Sequence, residues 1–384
     1  MAREVVTGYC WPQSVGHGEQ VDLHMSSTGA RPVRVEIARV GARREIVFSA
    51  ATVVTGDHET PSSASSNGCQ WPVALTVGVD SSWRSGYFEV VMEIEVGDKL
   101  RRDYAFFVVR PRDARIVLAL STNTWHAYND FGGTNLYNGG THVSMKRPMA
   151  AGYLHKPLGK GRRVTGTGAP DPQNAAHVGY VQLNHLSNWA GSAGWPDWEH
   201  PFIAWAEREG YEIGVCTNAD LENHPEVLAD ASLYLSVGHD EYWSKGMRDT
   251  VEGFIAGGGN AAFFSGNTAM WQVRMEGVDR DVMVGYKGYF KDDPFMGTPR
   301  QSELTTMWSD VIVGRPENSM TGVTFTRGGY HRIGRNVTSG LGGYTVHRAD
   351  HWIFEGTGVG YGDVLGANAT VVGYECDGCA FTYR

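Results

Sequence analysis

Through the first part of the chain, apolar and polar positions alternate in short runs: Gln20 to Met25, Val33 to Val40, Val73 to Val79, Gly86 to Val96 and Tyr104 to Val109. A period of two, broken at intervals by turn-rich stretches, predicts the strands of a β-sandwich. Between Gly86 and Ile94 the aromatic and aliphatic positions recur closely enough for a strand packed on a sheet face. The Ser-, Gly-, Thr- and Pro-rich piece from Thr52 to Gly68 reads as a loop between sheets. Pro111-Arg112-Asp113 marks the change of pattern, so residues 1–112 are expected to form an immunoglobulin-like β-sandwich domain and 113–384 a second, α/β domain.

From Arg115 the pattern becomes strands alternating with helices. Arg115 to Ser121, Tyr211 to Cys216, Ser232 to Val237 and Asn260 to Phe264 read as buried strands, and Pro201 to Glu209 and Met247 to Ala256 as helices. A strand, helix and strand within about 30 residues make a crossover unit, hence a mostly parallel layered sheet. Ligands bind beyond the carboxyl ends of such strands. His239-Asp240-Glu241-Tyr242 and Ser265-Gly266-Asn267 both follow strand ends. Thr122 to Glu199 has very little helix signal and many Gly, Asn, Trp and Tyr residues, so it is expected to be a long, ordered, functional loop region. Beyond about residue 272, pieces such as Gly322 to Thr326 and Thr370 to Gly373 look like strands in a tail folded over the catalytic edge.

Length and charge narrow the function classes. A chain of 384 residues suits two domains, and a formal charge of −9 with no Lys/Arg run argues against nucleic acid and anionic membranes as partners. No apolar run is long enough to span a bilayer, which makes a cytoplasmic protein the expectation. Five cysteines are too few for a disulfide scaffold, so reduced thiols are the default. Cys376 and Cys379 form a lone CxxC without the second pair of a zinc site or the following helix of a redox motif. The sequons at Asn336 and Asn368 carry no weight without a secretory signal.

The chemistry-bearing residues cluster at the strand ends. In an extended stretch His239 and Glu241 share one side and Asp240 takes the other. Satisfaction of local backbone donors is the bland explanation of such residues. Asn267, ending the neighbouring strand, could orient a carbonyl or a water beside Glu241. The first strand opens into Ser121 to Gly133 and then Asn135 to Gly140, a second polar and aromatic cluster that should meet the first. Tyrosine with glutamate and no thiolate favours iron(III) over zinc, although aromatic packing is the commoner fate of tyrosines.

The segments NTWHAYNDFGG, GGTHVSMKRP, FIAWAEREGYEIGVCTNADL, SVGHDEYWS, FFSGNTAMWQVR and DHWIFEGTG occur in order over roughly 115 to 384. Together they resemble the catalytic portion of the large (beta) subunit of N,N-dimethylformamidase, an iron amidohydrolase. The resemblance implies a core like the layered sheet of class I glutamine amidotransferases, with an added sandwich domain. It also implies one mononuclear ferric ion (Fe3+) held by two tyrosinates and one glutamate. Glu241, in GHDEYWS, takes the glutamate role; Tyr128, in AYND, takes one tyrosinate and Tyr137 the other, with Tyr153 and Tyr180 as alternatives. His239 and Asn267 would position water or bind the amide oxygen, and Glu375, in GYECD, would be the general base. The implied reaction cleaves a small N-substituted formamide, or a related amide, to acid and amine. Implied partners are a small subunit and further copies of the chain. Members of that type carry further sequence, whereas this chain stops at Arg384.

Two rival functions follow from the same residues. A cysteine hydrolase of the glutamine-amidotransferase kind needs a thiol at a strand-to-helix elbow, and Cys216 reads as a strand end without an adjacent helix start. A carbohydrate-binding or other non-catalytic protein could use Trp125, Trp189, Trp195 and Trp198 as stacking surfaces.

Overall fold

A computed structural model of the chain describes residues 5–159, 172–330, 344–365 and 375–378. It is a mixed α/β structure with several sheets, one of them wholly parallel. In the first part, Val6–Trp11, Gln20–Ser27 and Val73–Gly78 form a three-stranded antiparallel sheet. A five-stranded sheet runs Ser14–Val15, Lys99–Val109, Gly86–Val96, Val33–Val40, Arg44–Val53. The two enclose one core: Leu23 and Met25 from the first meet Val35, Ile37, Phe88, Val90 and Phe107 from the second. Strand alternation gives the five-stranded sheet a second apolar face, and Tyr87, Phe106 and Val108 turn that way into a different core.

That other core is shared with the parallel sheet, whose order is Gly214–Thr217, Ile116–Leu120, Leu233–His239, Asn260–Gly266. Leu118, Leu120, Leu235 and Val237 face Tyr87 and Phe106, joined by Ile203 and Ala206 of the helix Glu199–Arg208. The alternate residues Val117, Ala119 and Tyr234 face the opposite way, against Leu221 of the helix Asn218–Asn223 and Met247 and Val251 of the helix Lys245–Ala256. Both faces of the parallel sheet are therefore covered, which explains why its strands read as continuous apolar runs. Each such Leu or Val side chain contributes about 1.5–3 kcal/mol by leaving water.

Two parallel strands do not stop at the sheet's edge. Leu233–His239 continues into Tyr242–Ser244 and Asn260–Gly266 into Trp271–Glu276, and the two continuations pair again in parallel within a second sheet completed by Val282–Val284 and His142–Ser144. His239 pairs with Gly266 and Tyr242 with Trp271, so Asp240 and Glu241 on one strand lie opposite four residues, Asn267 to Met270, on the other. The surplus is accommodated by left-handed backbone at Asn267 and Ala269, both at φ 52°. Such conformations cost non-glycine residues on the order of 1 kcal/mol or more each. Gly238 also has positive φ, 93°, and a Cβ there would stand 2.6 Å from Trp198 Cβ, so only glycine fits.

Several expectations need correcting. The region Thr122 to Glu199 contains a helix, Thr122–Tyr128, a strand, His142–Ser144, and a helix, Pro172–Leu183. The residues of the first helix have poor intrinsic propensity, but every one is buried, so packing holds it. A helix also starts directly after Cys216: Thr217 caps it in a reciprocal box with Asp220. The strands Val6–Trp11 and Arg44–Val53 were not among those expected. In the tail Thr324–Tyr330 pairs with Glu375–Gly378, while Thr370 to Gly373, Asn336, Asn368 and Cys379 lie outside the described residues. Among the described residues no helix is long and apolar enough to cross a membrane.

Candidate active site

Glu241 sits where the two sheets join. Its backbone N–H donates to Thr124 Oγ1 at 3.0 Å and its carbonyl accepts from Trp271 N at 2.9 Å, so both neighbouring segments fix it. Tyr128 ends the helix Thr122–Tyr128, and Tyr137 is returned to it by a turn built on Asn135. The buried Asn135 amide donates to the Tyr128 carbonyl at 2.8 Å, while its oxygen accepts from the N–H groups of Tyr137 at 2.8 Å and Asn138 at 3.1 Å. The two phenol rings consequently stack, centroids 4.2 Å apart. Arg147, also buried, secures the helix end by donating to the carbonyls of Asn129 and Ser144, each at 3.0 Å; burial lowers its guanidinium to about 10.

Hydroxyl, indole and imidazole groups converge on the Glu241 carboxylate. Tyr128 donates to Oε2 at 3.0 Å, Tyr137 reaches both oxygens at 2.8 Å, and Trp271 Nε1 donates to Oε1 at 2.8 Å. His239 Nε2 lies 3.2 Å from Oε2, and its Nδ1 donates to the Ser192 carbonyl at 2.7 Å, which fixes a proton on that nitrogen. Burial pushes Glu241 up, but the hydrogen bond and charge of His239, then Lys287 and Tyr137, hold it below the usual carboxylate range. Burial, and next the Glu241 charge, push the Tyr137 phenol well above its ordinary value. Lys287 Nζ stands 3.2 Å from the Tyr137 ring centroid, and Tyr242 donates to the Tyr137 hydroxyl at 2.8 Å.

Asn267 is buried at the same junction. Both polar atoms of its side chain are without a protein partner among the described residues, an arrangement that costs about 1–3 kcal/mol per group until a ligand satisfies it. Its backbone N–H and that of Thr268 donate to the two carboxylate oxygens of Asp377, at 3.1 and 3.0 Å, which ties the tail to the site. Asp240 points away from Glu241, accepting from Ser236 Oγ at 2.7 Å and Asn218 Nδ2 at 3.3 Å; burial pushes it up to about 6.

Of the residues singled out in the sequence, Tyr128, Tyr137, His239 and Glu241 are thus brought together, with Asn267 at the adjoining turn. Tyr180 donates to the Pro157 carbonyl at 2.6 Å, and Tyr153 lies among Ser187, Asp130 and Arg147. Glu375 opens the strand Glu375–Gly378, but its side chain lies outside the described residues. Lys287 lies outside every stretch singled out in the sequence, while Tyr242, Asn135 and Trp271 lie within such stretches but without the roles they take here. Among the described residues no group of three or more His, Cys, Asp or Glu could hold a metal; the oxygens that converge on one point are those of Tyr128, Tyr137 and Glu241.

The rival readings meet physical obstacles. Cys216 does occupy a strand-to-helix elbow, contrary to the expectation, but it is fully buried and burial pushes its thiol well up, which disables it as a nucleophile. Trp125 and Trp195 are core residues, Trp125 donating to Glu199 Oε1 at 3.1 Å, and cannot serve as open stacking surfaces.

Residues 34–383 match the family described as N,N-dimethylformamidase beta subunit-like, C-terminal. No curated protein matches the chain. Among solved structures, the sulfur carrier protein SoxY from Chlorobium limicola f thiosulfatophilum is similar at 14% identity over 28% of this chain and 82% of that one, with a TM-score of 0.17, a likeness that carries no argument.

Proposed function

The chain belongs to the N,N-dimethylformamidase beta subunit-like family, and from that premise we propose that it is an iron(III)-dependent amidohydrolase cleaving a small N-substituted formamide, or a related amide, to acid and amine. The observation that supports this is the convergence of the Tyr128 and Tyr137 hydroxyls on the buried Glu241 carboxylate. The donor set fits the ion. It is all oxygen, and ionised it carries three negative charges that a trivalent cation balances; with protons in place, the phenols instead hydrogen-bond to the carboxylate.

Tyr128, Tyr137 and Glu241 would hold the metal, which when bound supplies Lewis acidity to a carbonyl oxygen and acidifies water. Asn267 offers its unsatisfied N–H to the amide oxygen, where negative charge develops as water adds to the carbonyl carbon. His239, held by Ser192, faces the same side and helps to balance that charge. Glu375 is assigned the proton from the attacking water; the C–N bond then breaks and the amine leaves with a proton. No redox step is required.

The wider reading follows the family. Residues 1–112 are taken as a β-sandwich domain and 113–384 as a catalytic domain with a sheet of the class I glutamine-amidotransferase kind, acting in the cytoplasm with a small partner subunit and other copies of the chain. The experiment is metal analysis of the purified protein with visible absorption and an assay for amine released from simple N-substituted formamides. Stoichiometric iron, a tyrosinate-to-iron charge-transfer band and amine release are expected, and Glu241→Ala should lose all three. Colourless, iron-free protein that releases no amine would sink the proposal.

A further inference from the structure

We infer that Tyr242 is a positioning residue for Tyr137: its hydroxyl donates to the Tyr137 oxygen, holds that oxygen in place, and so sets its donor strength toward the metal. This rests on the iron reading above. Tyr242 is fully buried at the start of the strand Tyr242–Ser244. Its backbone is fixed by pairing with Trp271 and by Asn123 Nδ2, which donates to its carbonyl at 3.1 Å. From there its hydroxyl donates to Tyr137 Oη at 2.8 Å, and Tyr137 passes its own proton to the Glu241 carboxylate at 2.8 Å.

The direction of this chain matters. Tyr242 is the donor and Tyr137 the acceptor, so the Tyr137 oxygen is held from the strand Tyr242–Ser244 as well as through its own bond to Glu241. Packing alone would be met by phenylalanine; the hydroxyl adds the bond to the Tyr137 oxygen. The Lys287 ammonium lies against both rings, its Nζ 3.2 Å from the Tyr137 ring centroid and 5.6 Å from that of Tyr242. An oxygen whose lone pair is shared with a donor gives less electron density to a metal, leaving the metal the stronger Lewis acid.

The test compares the visible charge-transfer band of the iron-loaded native protein with that of Tyr242→Phe, with iron content and near-ultraviolet circular dichroism measured on each. Removing the hydrogen bond raises the phenolate donor orbital, so the band should move to longer wavelength by roughly 10–20 nm, the scale of one charge-assisted bond. Resonance Raman of the native protein in H2O and D2O reads the same bond without a substitution, and the phenolate C–O stretch should shift on exchange. An unmoved band in folded, iron-loaded Tyr242→Phe would overturn the inference, as would a Raman mode insensitive to D2O. Loss of both iron and band in the folded variant would mean that Tyr242 is needed to hold the metal rather than to position Tyr137, and would overturn it too. A native protein that holds iron without any such band would instead defeat the iron reading, and the inference with it.

Discussion

Substituting Asn135 with alanine removes a buried side chain that hydrogen-bonds to both Tyr128 and Tyr137 without belonging to the donor set. Three hydrogen bonds, one buried and two partly buried, go with it: the amide N–H to the Tyr128 carbonyl, and the side-chain oxygen's bonds from the N–H groups of Tyr137 and Asn138. Each is worth about 1 kcal/mol net, and a partner left buried and unmet costs a further share, so a loss of about 3–4 kcal/mol is expected. Urea unfolding of the metal-free protein, followed by tryptophan fluorescence, measures it. The same change should loosen both hydroxyls over Glu241, and since misplacement by about 1 Å costs on the order of 100-fold in rate, amide hydrolysis should fall by about that factor. Asn135→Asp keeps the two acceptor bonds and should be milder in stability. If Asn135→Ala lost the stability but kept native iron affinity and turnover, the claim that this turn positions the phenols would be refuted.

Gly238→Ala places a Cβ 2.6 Å from Trp198 Cβ at a φ of 93°, and should lower stability by roughly 2–4 kcal/mol in thermal unfolding; a neutral result would mean that Trp198 moves aside freely. Glu199 is fully buried, with Oε2 lacking a partner among the described residues, and burial raises its carboxyl to about 8. The folded form therefore binds the proton more tightly than the unfolded chain, and stability should fall as pH rises from about 4.5 toward about 8, by on the order of 5 kcal/mol in all. Glu199→Gln should flatten that slope in denaturation curves taken across the window, and an unchanged slope would contradict the assignment.

How much could be read in advance depended on whether the information was local. The four parallel strands are apolar runs ending in Gly or polar clusters, and they stand within a few residues of their expected limits. His239 and Glu241 share a side because backbone alternation dictates it, whatever the fold. The helix Thr122–Tyr128 was hidden because its stability is tertiary, and the helix after Cys216 was overlooked although Thr217 and Asp220 carry a capping signal. The choice among Tyr137, Tyr153 and Tyr180 could not be made from spacing, since it turns on how Asn135 reverses the chain. Lys287 and Trp271 reach Tyr137 and Glu241 across long sequence separations that no periodicity encodes.

The uneven junction between the two sheets also fixes which lengths of chain can change. With two residues facing four, the paired continuations keep Glu241 and Trp271 within hydrogen-bonding reach. Deleting or inserting one residue between Gly266 and Trp271 would exchange the two faces of the strand that follows, turning the indole away from the carboxylate and bringing Gln272 and Arg274 to its face. Natural variation in length is therefore expected to collect on the far side of the pocket, between Asn138 and His142 or beyond Tyr153, where a turn can grow without shifting any strand's phase. The edge that carries Glu241 behaves as a ruler, and the aromatic loops opposite it as the adjustable jaw.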